Sequence, residues 1–199
     1  MRRGRPGLST CACCEAPVLA ARLVTATPAA GRLPPILMRL ATTRGTNALL
    51  ERRGARMVLV TTEGFGDVLR IGTQQRDDLF ALEIRQSEPL PAAVVEVRER
   101  IDADGSVIHA LDARRFADDT RGLAADGFRS AAVALVNAWR DARHEREVAR
   151  ALRDAGFDHV AESAAVAPLL GFLERVETTV VEAYLAPVLE SYLQTVRAA

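Results

Sequence analysis

The sequence predicts an α/β fold, with a mainly parallel sheet, flanking helices and one inserted antiparallel hairpin. Short apolar runs of strand length alternate with longer segments of helical periodicity, which is the pattern of strand–helix–strand units. One pair of strand-like runs is instead joined by Asp104-Gly105, a dipeptide typical of a tight hairpin turn. At 199 residues the chain is long enough for one domain with a substantial core.

The beginning of the chain carries the weakest pattern. Residues 1–16 have no periodicity and are predicted to be an atypical leader, followed by one domain over residues 17–199. Within that domain, residues 17–28 ("PVLAARLVTATP") are predicted to form a strand that ends at Pro28. The run "ILMRLAT", which begins at Ile36, is predicted to be a second strand.

From Thr43 onward the pattern becomes regular. Thr43 is predicted to cap a helix that runs through "NALLERRG" and stops at Gly54. The run "RMVLVTT" is short, apolar and rich in valine, so we expect a buried strand. Thr62 is predicted to cap a further helix in "EGFGDVLRIG", with Glu63 and Asp67 placed near the positive end of that helix.

The second half of the chain continues the alternation. The hairpin "AAVVEVRERIDADGSVIHALD" precedes a helix predicted over Ala113–Ala125, and the strand "RSAAVALVNAW" follows it. The helix "ARHEREVARALRDAG" and the short strand "HVAES" come next. From Ala167 the chain is predicted to be helical almost to its end, with a kink at Pro187. An apolar stripe on this helix predicts a surface for self-association or for a partner, and it comprises Val176, Val180, Val181, Tyr184, Leu185, Val188, Leu189 and Tyr192.

Composition excludes several classes of partner and chemistry. The 26 basic and 26 acidic residues cancel, so we expect neither a nucleic-acid nor an anionic-membrane partner. All basic side chains are arginines, which excludes Schiff-base and P-loop lysine chemistry. No apolar stretch approaches the roughly 20 residues that cross a bilayer, and no signal-peptide core follows the basic start. These features favour a cytoplasmic protein.

The three cysteines lie together in the predicted leader, as Cys11, Cys13 and Cys14. Metal sites usually combine two cysteine pairs or a pair with spaced histidines, and neither arrangement occurs here. We therefore expect an incidental cluster, and the sequence indicates no metal ligands.

Four separated segments resemble the N-terminal region of the hydantoinase A/5-oxoprolinase family. They are "TTRGTNALLERRGARMVLVTTEGFGDVLRIGTQQRDDLF", "EVRERIDADGSVIHALD", "AWRDARHEREVARALRDAG" and "LERVETTVVEAYLAPVLESYL", in the family's order. The resemblance implies half of an actin-like ATPase fold, with ATP and Mg²⁺ as cofactors. It also implies a small cyclic amide as substrate, such as 5-oxoproline or a hydantoin, whose ring oxygen is phosphorylated before hydrolysis.

The chain also departs from that family. Where the family has the phosphate-binding turn Asp-x-Gly-Gly-Thr-x-Thr-Asp, this chain has "RRGRPGLSTCACCEA". The family's His-Gly-Thr-Thr turn appears as Leu40-Ala41-Thr42-Thr43, and Asn137 replaces a later histidine. The second actin-like half is expected to be absent. The resemblance thus implies a truncated N-terminal domain or subunit that is inactive alone and works with a second hydantoinase-type subunit or as a homo-oligomer. The alternative is a degenerate, non-catalytic fragment or a partner-binding module.

Residues that match the family's turns are the candidates for function. Thr42, Thr43 and Asn47 match the first turn, so they are predicted to contact nucleotide or substrate at a cleft beside the carboxyl ends of the strands. Helix capping and ordinary turn chemistry are the alternative for these three residues. No catalytic residue can be assigned.

Other matching positions carry structural interpretations. Thr61 and Thr62 are interpreted as capping residues, and the pair His144-Glu145 as a solvated helix start. Arg175, Thr178 and Thr179 also match the family. A buried ion pair between Arg175 and a carboxylate that orders the terminal helix explains these matches as well as a catalytic role does.

Overall fold

The structure is a computed structural model, and it describes residues 15–75 and 88–198. The cysteine cluster of the predicted leader lies outside these ranges. In chain order the elements are α1 (Ala16–Val24), α2 (Arg44–Leu50), β1 (Met57–Thr62), α3 (Val68–Ile71), β2 (Ala93–Val97), β3 (Arg100–Ile101), β4 (Val107–His109), α4 (Ala113–Ala125), β5 (Ser130–Ala134), α5 (Arg143–Asp154), β6 (His159–Glu162), α6 (Ser163–Val166) and α7 (Phe172–Arg197).

The main sheet is parallel and confirms the predicted fold class. Its four strands lie in the order β2-β1-β5-β6, and each neighbouring pair is parallel. Strands β3 and β4 form a separate antiparallel pair, which is the predicted hairpin around Asp104-Gly105. The first part of that predicted hairpin, Ala93–Val97, instead forms β2, which joins the main sheet.

Helices cover both faces of the sheet, so every residue of β1 and β5 is buried. On one face, Val58 and Val60 pack into a core that also contains residues of α4 and α5. On the other face, Met57 and Leu59 pack against Val176 and other residues of α7. This double coverage explains why β1 and β5 are continuous apolar runs rather than alternating ones.

Helix α7 runs opposite to the strands and extends past their amino ends. Its Phe172 ring meets Phe65, in the loop after β1, edge to face at 5.3 Å. Near the amino ends, Ser130 Oγ donates a 2.6 Å hydrogen bond to the carbonyl of Ala183. The remaining part of α7 packs against α2, and the helix continues through Pro187. Of the eight residues in its predicted apolar stripe, four are buried and four are half-buried, so the stripe is only partly exposed.

Two predicted strands near the start of the chain are wrong. Residues 16–24 form helix α1, which has Pro17 in its first turn and buries Val18 and Arg22 one turn apart. The Arg22 guanidinium donates hydrogen bonds to the carbonyls of Pro28 and Gly31, which fixes the turn after the helix. Residues 36–42 have no helix or strand. A short apolar run is compatible with either helix or strand, and tertiary contacts decide between them.

None of the helices in the described ranges is both long enough and apolar enough to cross a bilayer.

Candidate functional site

The carboxyl ends of β1, β2 and β5 lie side by side because these strands are parallel neighbours. Ligands of open α/β sheets bind beyond this edge. In this chain the edge carries the loop after β1, the segment between β2 and β3, and the loop between β5 and α5. Their polar side chains form the candidate site.

A buried hydrogen-bond network joins the three segments. The Thr62 hydroxyl donates to Glu99 Oε1 at 2.5 Å and accepts from the backbone N–H of Val136 at 3.0 Å. Glu99 Oε2 lies 2.7 Å from Nδ1 of His144, and all three side chains are buried. The prediction that Thr62 caps a helix is therefore wrong: it ends β1, while α3 begins six residues later.

The expected solvated helix start at His144 and Glu145 is also wrong, since both side chains are buried. The Glu145 carboxylate accepts hydrogen bonds from Leu135 N–H, Ser163 Oγ and Ala164 N–H. Burial raises the pKa of Glu145 above its ordinary value, although these three hydrogen bonds and the charge of Arg175 act in the opposite direction. Glu145 thereby links the end of β5 to the start of α6.

Arg175 is completely buried at the start of α7. Its guanidinium donates to the carbonyl of Leu135 at 2.6 Å and to that of Leu169 at 3.2 Å. Burial lowers the pKa of Arg175, and the charge of Glu145 opposes that shift. The sequence predicted a buried pair of Arg175 with a carboxylate. In the structure, Arg175 donates its hydrogen bonds to carbonyl oxygens, and Glu145 acts on the guanidinium through its charge. They hold α7 to the end of β5, which is a structural role.

Asn137 follows β5 in a left-handed backbone conformation with φ of 59°. Its Nδ2 atom donates a 2.9 Å hydrogen bond to the carbonyl of Ile101 in β3. Asparagine tolerates this conformation better than most side chains. Asn137 therefore attaches the hairpin to the same edge of the sheet.

Two cavities open at this edge, and both are bordered by Glu96 of β2. One has a volume of about 460 Å³, and its lining includes Glu63, Arg98 and Arg115. The other has a volume of about 570 Å³ and lies between the loop after β1 and the start of α7, where Phe172 contributes to its lining. The edge thus has room for a small ligand on either side of one carboxylate.

The loop after β1 contacts Glu96 through two backbone amides. Gly64 N–H donates to Glu96 Oε1 at 3.1 Å, and Gly66 N–H donates to the same oxygen at 2.7 Å. Gly64 has a φ of 87°, and a Cβ atom at Gly66 would lie 2.8 Å from that oxygen. Both glycines are therefore required for this geometry.

Thr42, Thr43 and Asn47 lie elsewhere. All three are exposed, and α2 packs against the part of α7 that extends past the amino ends of the strands. The expected position at a cleft beside the carboxyl ends is wrong, because Gly45 of α2 lies against Leu185 and Leu189, in the part of α7 beyond the amino ends of the strands. Thr43 precedes α2 without a side-chain capping bond, whereas the Thr42 hydroxyl accepts from Arg44 N–H at 3.2 Å. Their role in ligand binding stays a prediction.

The described residues do not by themselves fit ATP with Mg²⁺. Among them, no three His, Cys, Asp or Glu side chains are grouped closely enough to hold a metal ion. The glycine turn at the carboxyl edge has its two convergent amides occupied by Glu96.

Comparison with known proteins identifies extensive similarity. Residues 25–156 match the family described as the hydantoinase/oxoprolinase N-terminal region. The chain is 34% identical over 188 residues to the 5-oxoprolinase of Saccharomyces cerevisiae, covering 81% of this chain and 15% of that protein. It is 36% identical over 170 residues to the acetophenone carboxylase gamma subunit of Aromatoleum aromaticum, covering 77% and 23% respectively. The chain thus spans less than a quarter of either relative.

Solved structures agree with the sequence comparison. The ATP-dependent caprolactamase from Pseudomonas jessenii superposes with a TM-score of 0.71 at 28% identity, over 79% of this chain and 23% of that one. A nucleotide-free acetone carboxylase superposes with a TM-score of 0.68 at 23% identity, over 78% of this chain and 24% of that one, and shows a common fold.

Proposed function

The chain belongs to the hydantoinase/oxoprolinase N-terminal family, and on that premise we propose that it supplies the N-terminal part of an ATP-dependent enzyme that hydrolyses a cyclic amide. One observation carries the proposal: 79% of the chain superposes on 23% of an ATP-dependent caprolactamase, at 28% identity. A 5-oxoprolinase matches in the same manner, with 81% of this chain on 15% of that protein. Both relatives are named for lactam substrates, which supports a small cyclic amide.

The proposed activity requires more than this chain. The relatives above are at least four times longer than the region they share with it, so residues outside that region would contribute ATP and Mg²⁺ binding. A second hydantoinase-type subunit or another copy of the chain would complete the enzyme, in the cytoplasm. The name of the acetophenone carboxylase gamma subunit supports a multi-subunit arrangement, since it describes one relative as a subunit.

The carboxyl edge is the part of this chain proposed to face the reaction. The network of Thr62, Glu99 and His144 is buried, so these side chains would position the surrounding loops rather than touch the substrate. The cavity bordered by Glu63, Arg98 and Arg115 is the proposed space for a small ligand. Its lining combines both signs of charge with apolar surface, which suits a compact polar ring.

Thr42, Thr43 and Asn47 are proposed to contact a ligand or the remaining part of the completed enzyme. Their exposure supports this assignment, because none of the three is needed for the core of the described chain. Turn chemistry at the start of α2 accounts for Thr42 as well, through its bond to Arg44 N–H.

A non-catalytic, partner-binding module is the second candidate function. Its support is a concentration of exposed apolar side chains before α2, of which Leu23, Val24 and Leu37 are more than four-fifths exposed. Apolar surface concentrated in this way marks interaction sites more often than scattered apolar residues do.

An ATP hydrolysis assay tests whether the chain works alone. The purified chain is incubated with ATP and Mg²⁺, with and without 5-oxoproline, hydantoin or caprolactam, and phosphate release is measured. We expect no release that depends on the cyclic amide. Amide-dependent turnover by the chain alone would overturn the proposal that another part of the enzyme is required.

A further inference from the structure

We propose that the turn after β1, residues 63–67, is a binding site for one carboxylate oxygen of a small monoanionic ligand, which replaces the side chain of Glu96. The site consists of the backbone N–H groups of Gly64 and Gly66, which converge on one Glu96 oxygen. The chain thus carries its own carboxylate in the position that the ligand would take.

The two amides converge on one oxygen at the surface of the protein. Gly64 N and Gly66 N lie 3.1 Å and 2.7 Å from Glu96 Oε1, which are the distances at which paired donors hold an anionic oxygen. Gly66 leaves the space that the oxygen fills, because a Cβ atom there would lie 2.8 Å from it. With glycine at position 66, an oxygen atom can therefore approach both amides.

Glu96 can leave this position without disturbing the core. Glu96 is exposed near the carboxyl end of β2, and its two hydrogen bonds with the backbone amides are also exposed. Cavities of about 460 Å³ and 570 Å³ border it on either side. Rotation of the side chain would open the two amides to a ligand in either cavity.

The surrounding charges select the class of ligand. Arg98 and Arg115 line the cavity of about 460 Å³ beside Glu96, and they would attract an anion. Glu63 and Asp112 line the same cavity, and Asp67 lines the cavity on the other side of Glu96, so with Glu96 rotated away the two arginines offset the repulsion of a single negative charge better than that of a double one. Together they favour a singly charged carboxylate over a phosphate. A phosphate oxygen could still satisfy the same two amides, so it serves as the competing probe.

Backbone amide chemical shifts of the full chain provide the test. The ¹⁵N-labelled protein is titrated separately with 5-oxoproline, as the carboxylate probe, and with inorganic phosphate. We expect saturable shifts of the Gly64 and Gly66 amide signals with 5-oxoproline. The 5-oxoproline concentration at half-saturation should be about tenfold lower in Glu96→Ala than in the unmodified chain, because the competing carboxylate is gone. Glu63→Ala removes a neighbouring carboxylate that repels anions but does not bond to these amides, so its gain should be clearly smaller than that of Glu96→Ala.

Two results would overturn the inference. The first is an absence of Gly64 and Gly66 shifts in Glu96→Ala while the rest of its spectrum matches the folded parent. The second is a response to phosphate alone, which would contradict the carboxylate assignment. Glu96→Gln keeps the length of the side chain with a weaker acceptor, and should give an intermediate gain. The inference rests on the proposed function for its cavity and its probe, but the measurement requires no turnover, so a failure to bind at these amides is distinguishable from a failure to hydrolyse the amide.

Discussion

Nδ1 of His144 lies 2.7 Å from Oε2 of Glu99, and both side chains are buried. Glu99 lies between β2 and the hairpin, whereas His144 is in the first turn of α5, 45 residues later. The other Glu99 oxygen accepts from Thr62, so each carboxylate oxygen has a partner. Buried polar groups stabilise a fold only when they are satisfied in this way. The pair therefore fixes the hairpin beside the cavity at the carboxyl edge.

Replacing Thr62 by valine should destabilise the chain. Valine keeps the shape of the side chain but leaves Val136 N–H and Glu99 Oε1 without their hydrogen-bond partner. We expect the free energy of unfolding to fall by about 1–3 kcal/mol, as measured by urea denaturation. Thr46→Val is the matched control, because Thr46 is exposed on α2, and its effect should be within about 0.5 kcal/mol. Equal effects of the two variants would contradict the role of the network.

The ionisation of Glu145 should make stability depend on pH. Burial raises its pKa in the folded chain above the ordinary value of 4.5. The folded state therefore binds a proton that the unfolded state releases, and the contribution of Glu145 to stability is lost as pH rises through the folded pKa. We expect the stability advantage of the unmodified chain over Glu145→Gln to be largest below pH 4.5 and to shrink above it. Urea denaturation over a pH series measures this difference, and an advantage that grows with pH would refute the direction of the shift.

Two glycine-to-alanine substitutions should have opposite effects. A methyl group at Gly54 would overlap the ring of Tyr184, so Gly54→Ala should separate the α2 end from α7 and cost about 1–3 kcal/mol. Gly122 lies inside α4 with open space around it, so Gly122→Ala should increase the free energy of unfolding by about 0.5–1 kcal/mol. Thermal or urea denaturation distinguishes them. Destabilisation by Gly122→Ala, or none by Gly54→Ala, would contradict the packing described.

Local sequence patterns predicted the central elements because those elements depend on local chemistry. The apolar runs of β1 and β5 are buried on both faces, so their composition alone indicates strands. Helix α4 has the predicted bounds Ala113–Ala125, and the hairpin follows from Asp104-Gly105. Each of these signals lies within the segment it describes.

The candidate site depends on contacts that no local pattern contains. Thr62, Glu99 and His144 meet only after the parallel sheet has formed, so capping was the wrong interpretation of Thr62. One usable signal was present: His144 shares helical spacing with Val148 and Leu152, which predicts that all three face the core. The amide pair of the turn after β1 left no signal beyond two glycines, since its partner, Glu96, is 30 residues away from Gly66.

Complementation tests the proposed function most directly. The purified chain is mixed with Saccharomyces cerevisiae 5-oxoprolinase from which the region matching this chain has been deleted, and ATP hydrolysis is measured with and without 5-oxoproline. We predict 5-oxoproline-dependent ATP hydrolysis by the mixture and none by either component alone. Thr62→Val in this chain should reduce it, whereas Thr46→Val should not. A mixture that stays inactive while the intact 5-oxoprolinase works under the same conditions would contradict the proposal that this chain supplies the N-terminal part of such an enzyme.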